Sequence, residues 1–194
     1  MKLSLSFYQR QEVATIAREL LGKVLVHKNN GKISTGRIVE TEAYANWERG
    51  CHAFKGKTER NRAMFEKGGI SYVYLCYGIH HLFNVVTNKK GSADAVLIRA
   101  LQPLEGEELM MKRLGTKSIE RITSGPGKLT KAMGIDKAFN GESLIGKKIW
   151  IEDRDFNVPL PDIHISKRIG IDYAGEDALL PWRFSIRDNE WVSK

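Results

Sequence analysis

The chain has 194 residues, of which 42% are hydrophobic and 28% charged, and its formal net charge is +8. These values predict one soluble globular domain over residues 1–194, and the positive charge favours an anionic partner, nucleic acid before an acidic membrane. No apolar run is long enough for a transmembrane helix, and no secretory signal is recognisable. We therefore expect a protein of the cytoplasm (the bacterial nucleoid) or of a nucleus, not a secreted one.

Three elements are predicted first. Apolar residues at helical spacing predict a helix over Gln9–Leu21. A short strand is predicted at Lys23–His27, with its last residue, His27, at the surface. The turn signal Asn29-Asn30-Gly31 joins this strand to the next one, Gly36–Tyr44.

The strand Gly36–Tyr44 carries the most unusual chemistry. Alternation places Glu40, Glu42 and Tyr44 on one face, so two carboxylates lie roughly 6–7 Å apart beside an aromatic ring. If that face lines a cleft, burial and the neighbouring charge would raise the pKa of a carboxyl group, and either Glu40 or Glu42 could act as a general base. On an edge strand, the same two groups would simply be solvated.

Ala45–Thr58 is predicted to be an irregular loop that carries His52 and precedes a short helix through Phe65. Loops beside a rigid strand often hold recognition groups. The basic residues around the end of this loop are equally compatible with a solvated surface. They are Lys55, Lys57, Arg60 and Arg62.

The tyrosine-rich stretch Ile70–Asn88 predicts two strands that meet near Gly78. In the first strand, Tyr72 and Tyr74 share one face, which is typical of a half-buried sheet. Tyr77 lies near the tip of this hairpin, where an aromatic ring can point outward.

Two polar side chains interrupt apolar strands. Asn84 is either a structural hydrogen-bonding node or a specificity group, because a buried amide needs partners. Arg99 lies within a central strand, Asp94–Leu101, and a buried arginine requires an acidic partner. Glu40 and Glu42 are the candidates for that partner.

The rest of the chain alternates short elements with turns. A helix is predicted to begin at Leu104 or Glu105, and a glycine-rich turn leads into another helix, Lys128–Met133. The start of that second helix would suit a phosphate group, although an ordinary capped turn explains it equally well. The last predicted elements are a strand at Lys147–Glu152, a loop at Asn157–Asp162 and a closing strand at Arg183–Ile186.

Several catalytic chemistries find no support in the sequence. There is no metal-binding, nucleophile or nucleotide-binding motif, Cys51 and Cys76 are expected to be free thiols, and we predict no metal and no cofactor. A water-activating carboxylate near an arginine, several aromatic rings and a basic surface remain. Enzymes that act on a base within duplex DNA need this combination to neutralise phosphates, unstack a base and hold it for acid–base chemistry.

Six sequence blocks resemble the 3-methyladenine (alkyladenine) DNA glycosylase family, in family order over nearly the whole chain. They are G-R-I-V-E-T-E-A-Y, R-N-R-A-M-F, Y-V-Y-L-C-Y-G-I-H, A-V-L-I-R-A-L-Q-P-L-E-G, S-G-P-G-K-L-T-K-A-M-G-I and R-I-G-I-D-Y-A-G-E with P-W-R-F. The resemblance implies a monofunctional base-excision enzyme without lyase activity, which acts on alkylated purines in damaged double-stranded DNA. By this resemblance, Glu42 is the general base that activates water, and Arg99 helps to hold the water and the carboxylate.

The resemblance also implies how the damaged base is held. Tyr44 and His52 would sandwich the flipped base, and Tyr74 would close the pocket against its edge. Tyr77 would insert into the minor groove and fill the gap in the base stack. Asn84 corresponds to the residue that disfavours normal guanine by clashing with its amino group.

For the architecture we expect a single α+β domain, a monomer, with a curved, mostly antiparallel sheet and helices packed outside. One departure from the family pattern is the loop before His52, which reads Glu48-Arg49-Gly50-Cys51 where the family has an acidic residue followed by small ones. Two other functions stay open: a non-catalytic nucleic-acid-binding domain, and a carboxylate-dependent hydrolase of small molecules. A glycosylase assay on alkylated duplex DNA separates the glycosylase from the binding domain, and the small-molecule hydrolase predicts no salt-sensitive affinity for DNA.

Overall fold

In the computed structural model, which describes residues 1–194, all strand pairings are antiparallel. The strands are β1 (Val24–Asn29), β2 (Lys32–Tyr44), β3 (Ser71–Cys76), β4 (His80–Thr87), β5 (Asp94–Glu105), β6 (Ile149–Glu152), β7 (Ile163–Ser166) and β8 (Arg183–Ile186). Their order in the sheet is β3-β4-β5-β2-β1-β6, and β8 pairs with both β2 and β7, so the eight strands form one sheet.

Short helices complete the fold. The α-helices are α1 (Leu5–Tyr8), α2 (Val13–Glu19), α3 (Glu107–Leu114) and α4 (Pro126–Met133), and 3-10 segments cover Arg62–Phe65, Lys137–Phe139, Leu160–Asp162 and Asp172–Leu179. The main hydrophobic core joins residues of α2, α3 and α4 to the sheet. The predicted α+β class with a curved antiparallel sheet is therefore confirmed. None of the helices combines the length and the apolar character that crossing a membrane requires.

The long strand β2 determines where the carboxylates lie. Its first half pairs with β1, whereas Glu40, Thr41 and Glu42 pair with β8 on one side, and the strand pairs with β5 on the other. Register shifts on both sides of Glu40 mark an irregularity in the β2–β5 ladder, which is the kind of place where side chains are re-aimed. Because strands flank this segment on both sides, the alternative of a solvated edge strand is wrong.

Two local predictions are also wrong. His27 is buried, because its ring packs edge-on against Phe139, with centroids 4.9 Å apart, and its Nδ1 lies 2.6 Å from the carbonyl oxygen of Met133 at the end of α4. The third helix does not begin at Leu104 or Glu105, because β5 runs on to Glu105 in its pairing with β2. Gly106, at φ 81°, then turns the chain into α3.

Candidate active site

A cavity of about 730 Å³ opens where β2, β3, β4 and β5 meet the loops that follow β2 and β7. It brings together residues that lie far apart in the sequence. Six of the seven predicted site residues line it: Tyr44, His52, Tyr74, Tyr77, Asn84 and Arg99. The seventh, Glu42, is fully buried directly beneath this lining, in contact with Tyr44 and Arg99.

Glu42 accepts hydrogen bonds from two neighbours and pairs with one cation. The hydroxyl of Tyr44 donates to Oε2 at 2.8 Å, and the backbone N–H of Ile169 donates to Oε1 at 2.8 Å. Nη1 of Arg99 lies 3.3 Å from Oε2. A carboxylate offers about four acceptor positions. Oε1 has a single donor and therefore keeps one acceptor position open.

Glu40 accepts four hydrogen bonds from three residues. Its Oε1 accepts from Arg99 Nε at 3.0 Å, from Arg183 Nε at 2.7 Å and from the Ser193 hydroxyl at 2.8 Å, and its Oε2 accepts from the Ser193 N–H at 2.8 Å. Burial raises the pKa of the Glu40 carboxyl, but Arg99 and the hydrogen bonds from Ser193 and Arg183 outweigh it, so the pKa lies below its usual range. The increase that the sequence suggested is therefore wrong for Glu40, which stays ionised.

Arg99 joins the two carboxylates. Its residue is 7% exposed, on the central strand β5, and both carboxylates come from the neighbouring strand β2. Burial lowers the pKa of its guanidinium, but Glu42 and Glu40 more than offset this, and the pKa is raised. The prediction of an acidic partner for Arg99 is confirmed with both candidates at once.

Aromatic rings line the cavity above Glu42. The Tyr72 and Tyr74 rings are stacked, with centroids 5.3 Å apart, and His52 meets Tyr74 edge-on at 4.5 Å. Nδ1 of His52 lies 2.9 Å from the Tyr72 hydroxyl, which fixes the imidazole at the mouth of the cavity. Partial burial of the ring and the charge of Arg60 lower the pKa of His52 to about 4. The imidazole is therefore neutral near pH 7.

Tyr77 occupies the tip of the β3–β4 hairpin. Its side chain is 87% exposed, and its backbone has φ 50°, followed by Gly78 at φ 73°. Left-handed backbone at a non-glycine residue is uncommon and often marks a functional position. At the inner end of the same hairpin, Asn84 is buried, and its amide nitrogen donates to the Tyr72 carbonyl at 3.1 Å. Asn84 is thus both a structural node and part of the cavity wall.

Sequence reasoning missed one pair of site residues, Glu48 and Arg168. They form a fully buried two-pronged ion pair, at 2.6 and 3.0 Å, and Arg168 also donates to the Ala43 carbonyl at 2.9 Å. The guanidinium carbon lies 4.7 Å from the Tyr44 ring centroid. The next residue after Arg168, Ile169, supplies the N–H that binds Glu42. The two charges are 120 positions apart in the sequence, and nothing in the local pattern predicts their contact.

The charges around the mouth are positive. Arg60 and Lys128 line the cavity, and the guanidinium carbon of Arg60 lies 5.4 Å from the Tyr74 ring centroid. The glycine-rich turn before α4 also contributes to the lining, through Ser124–Lys128. No group of three or more His, Cys, Asp or Glu side chains is arranged to hold a metal ion.

Comparison with known proteins identifies the family. The family model described as Methylpurine-DNA glycosylase (MPG) matches residues 6–190. Relatives named "Putative 3-methyladenine DNA glycosylase" include one from Carboxydothermus hydrogenoformans, 46% identical with 100% of both chains covered. Another, from Methanocella arvoryzae, is 47% identical over 97% of this chain and 94% of its own length. A third, from Borrelia garinii subsp. bavariensis, is 46% identical over 97% and 98%. The chain belongs to the methylpurine-DNA glycosylase family and is a DNA glycosylase, an N-glycosyl hydrolase of the 3-methyladenine type.

Proposed function

We propose that this glycosylase excises alkylated purines from duplex DNA by flipping the damaged nucleotide into the cavity and activating a water molecule with Glu42. The observation that carries the proposal is the position of the two carboxylates relative to the cavity. All three residues that contact Glu42, namely Tyr44, Ile169 and Arg99, line the cavity, and its Oε1 has a single donor and can accept from a water molecule. Glu40 instead bonds Arg99, Arg183 and Ser193, of which only Arg99 lines the cavity.

Binding begins with the phosphate backbone. The net charge of +8 and the basic residues at the mouth supply a sequence-independent attraction that weakens as salt concentration rises. Tyr77 is the wedge: its exposed ring fills the gap in the base stack when the damaged nucleotide leaves it. Flipping is least costly for a damaged base, which contributes to selectivity.

The flipped base stacks between Tyr44 and His52, with Tyr74 at its edge. An alkylated purine such as 3-methyladenine is cationic, and electron-rich rings attract it by about 0.5–2 kcal/mol. The lowered pKa of His52 suits this role, because a protonated imidazole would repel a cationic base. Asn84, held by its bond to the Tyr72 carbonyl, presents a fixed amide that excludes the amino group of normal guanine.

The chemical step is hydrolysis at the N-glycosidic bond. The water oxygen bonds to C1′ of the sugar, the bond from C1′ to the base nitrogen breaks, and its electron pair neutralises the departing cationic base. The proton of the water moves to Glu42, which also stabilises the developing positive charge on the sugar. General-base catalysis of this kind contributes roughly 10²–10⁴-fold in rate. Arg99 holds the carboxylate in place at 3.3 Å.

The test is Glu42→Gln, which keeps the shape of the side chain and removes its basicity. We expect binding to lesion-containing duplex DNA to persist, while the single-turnover rate of base release falls by at least about 10²-fold. Glu40→Gln is the matched comparison on the same strand, and it should slow the reaction less. Base release by Glu42→Gln at the wild-type rate would refute the assignment of Glu42 as the base.

A further inference from the structure

The segment Trp191–Ser193 packs against the floor of the cavity. The Trp191 carbonyl accepts from the hydroxyl of Ser124 at 2.7 Å, and the Val192 carbonyl accepts from Nη2 of Arg121 at 2.9 Å. Ser124 itself lines the cavity. These bonds hold the neighbouring Ser193 in contact with both Glu40 and Arg99.

Ser193 bridges the carboxylate and the guanidinium. Its hydroxyl donates to Glu40 Oε1 at 2.8 Å and is 3.4 Å from Nη2 of Arg99, while Nε of Arg99 donates to the same Oε1 at 3.0 Å. A guanidinium group is planar and rigid. Contacts that hold its Nε and Nη2 therefore fix the position of its third nitrogen, Nη1, which faces Glu42 at 3.3 Å.

Arg183 does not supply the same restraint. Its Nε donates to Oε1 of Glu40 at 2.7 Å. The other hydrogen bonds of its side chain go to Ser166 and Ser193, and none goes to Arg99. Its Nη2 instead donates to the Ser193 carbonyl at 3.3 Å, which holds the serine backbone in place. Of these two residues, only Ser193 contacts both the Glu40 carboxylate and Arg99.

We propose that Ser193 is a positioning residue for base excision: with Glu40 it holds Arg99 so that Nη1 stays directed at Glu42. This inference rests on the proposed function, because it concerns how accurately the water-activating carboxylate is placed. Misplacement of reacting groups by about 1 Å costs on the order of 10²-fold in rate. The loss of one of the contacts that hold Arg99 should have a smaller but measurable effect.

The test compares Ser193→Ala, Ser193→Thr and a control, Ser6→Ala, in which an exposed serine far along the chain is changed. The probe is a duplex oligonucleotide with one alkylated purine. For Ser193→Ala we expect a single-turnover rate constant about 10-fold lower, with the Kd for the same duplex unchanged within about twofold. Ser193→Thr keeps the hydroxyl and should restore the rate, and Ser6→Ala should match the wild type.

A wild-type rate in Ser193→Ala would overturn the inference. So would a loss of rate that Ser193→Thr does not restore, or one matched by an equal loss of DNA affinity, since a purely structural role would do either. If Ser193→Ala does not fold, Ser193→Cys carries the test, because it nearly keeps the size of the side chain but replaces the hydroxyl with a weakly hydrogen-bonding thiol. It should also lower the rate at an unchanged Kd, and a wild-type rate in Ser193→Cys would overturn the inference. Full activity of Glu42→Gln is a separate outcome, which would refute the proposed function instead.

Discussion

The floor of the cavity and its mouth are built in opposite ways. At the floor, Glu40 and Glu42 have no exposed surface, and strands flank them on both sides. At the mouth, Tyr77 is 87% exposed and Ile79 72% exposed, on a hairpin tip. Exposed apolar side chains in one place mark a surface that a partner covers. Under the proposed function, this comparison predicts that the groups at the floor are arranged before DNA arrives, whereas recognition is completed only by DNA.

The largest effect is expected at the floor, from Arg99→Met. This change leaves two buried carboxylates without the cation they share, and breaking a buried pair in this way costs about 3–5 kcal/mol of unfolding free energy. Urea denaturation measures the loss, and the single-turnover rate should fall by about 10²-fold or more. Lys148→Met is the control, because it removes an exposed partner of Glu142 and should cost at most about 1 kcal/mol. Equal losses in the two variants would contradict a preorganised floor.

The Glu48–Arg168 ion pair connects the mouth of the cavity to its floor, so removing this pair tests how the two regions depend on each other. Glu48→Gln leaves the buried guanidinium without its counter-charge, and we expect a loss of roughly 3 kcal/mol in unfolding free energy. The loss should be smaller in the double variant Glu48→Gln/Arg168→Met than in the sum of the two single variants, because the residues interact directly. Additive losses in urea denaturation would show that the two charges are not coupled.

Tyr77→Ser tests the mouth alone. Stacking contacts contribute about 1–3 kcal/mol per base, so the Kd for lesion-containing duplex should rise by about 10- to 100-fold. The unfolding free energy should change by less than about 0.5 kcal/mol, since the ring contributes little to the core. Leu160→Ser, at a side chain that is 66% exposed and does not line the cavity, is the matched control and should leave the Kd unchanged. Unaltered affinity in Tyr77→Ser would exclude Tyr77 as the wedge.

The mouth and the floor also differ in how much of their structure could be predicted from the sequence. The hairpin around Gly78 and the outward Tyr77 follow from local signals, turn residues and alternation, and the structure has them as expected. The residues that bind Arg99 could be narrowed to Glu40 and Glu42, because a buried arginine requires an acid. Local signals could not distinguish the surroundings of these two carboxylates. That difference depends on Ser193, which is 153 positions away from Glu40 and reaches it only in the folded sheet.

Long-range contacts explain the wrong predictions as well. His27 has the sequence context of a turn residue, but Met133 and Phe139, more than a hundred positions later, contact its ring. Pro103 breaks helices and tolerates strand edges, so the sequence allowed both outcomes there. The pairing of Pro103 with Gly36 on β2 makes this segment a strand. Tertiary contacts overrode local preference at both positions.

The smallest effect is expected from His52→Gln, measured against pH. The pKa of His52 is about 4 in the folded protein, against about 6.5 in an unfolded chain. The unfolded chain therefore binds the proton first, so stability falls as the pH drops from about 6.5 to about 4, and this group has no effect above that range. In His52→Gln, the fall in Tm over that interval should be shallower than in the wild type.

The excision rate gives the second measurement. Since His52 is neutral above about pH 5, any acid limb of the single-turnover rate between pH 5 and 8 should remain in His52→Gln. A limb that disappears in this variant would mean that the imidazole titrates in the working range and carries charge beside the base. A charged imidazole would repel a cationic purine, which would make the mouth select against the substrate that the aromatic rings attract. Persistence of the limb would instead assign it to a group other than the imidazole.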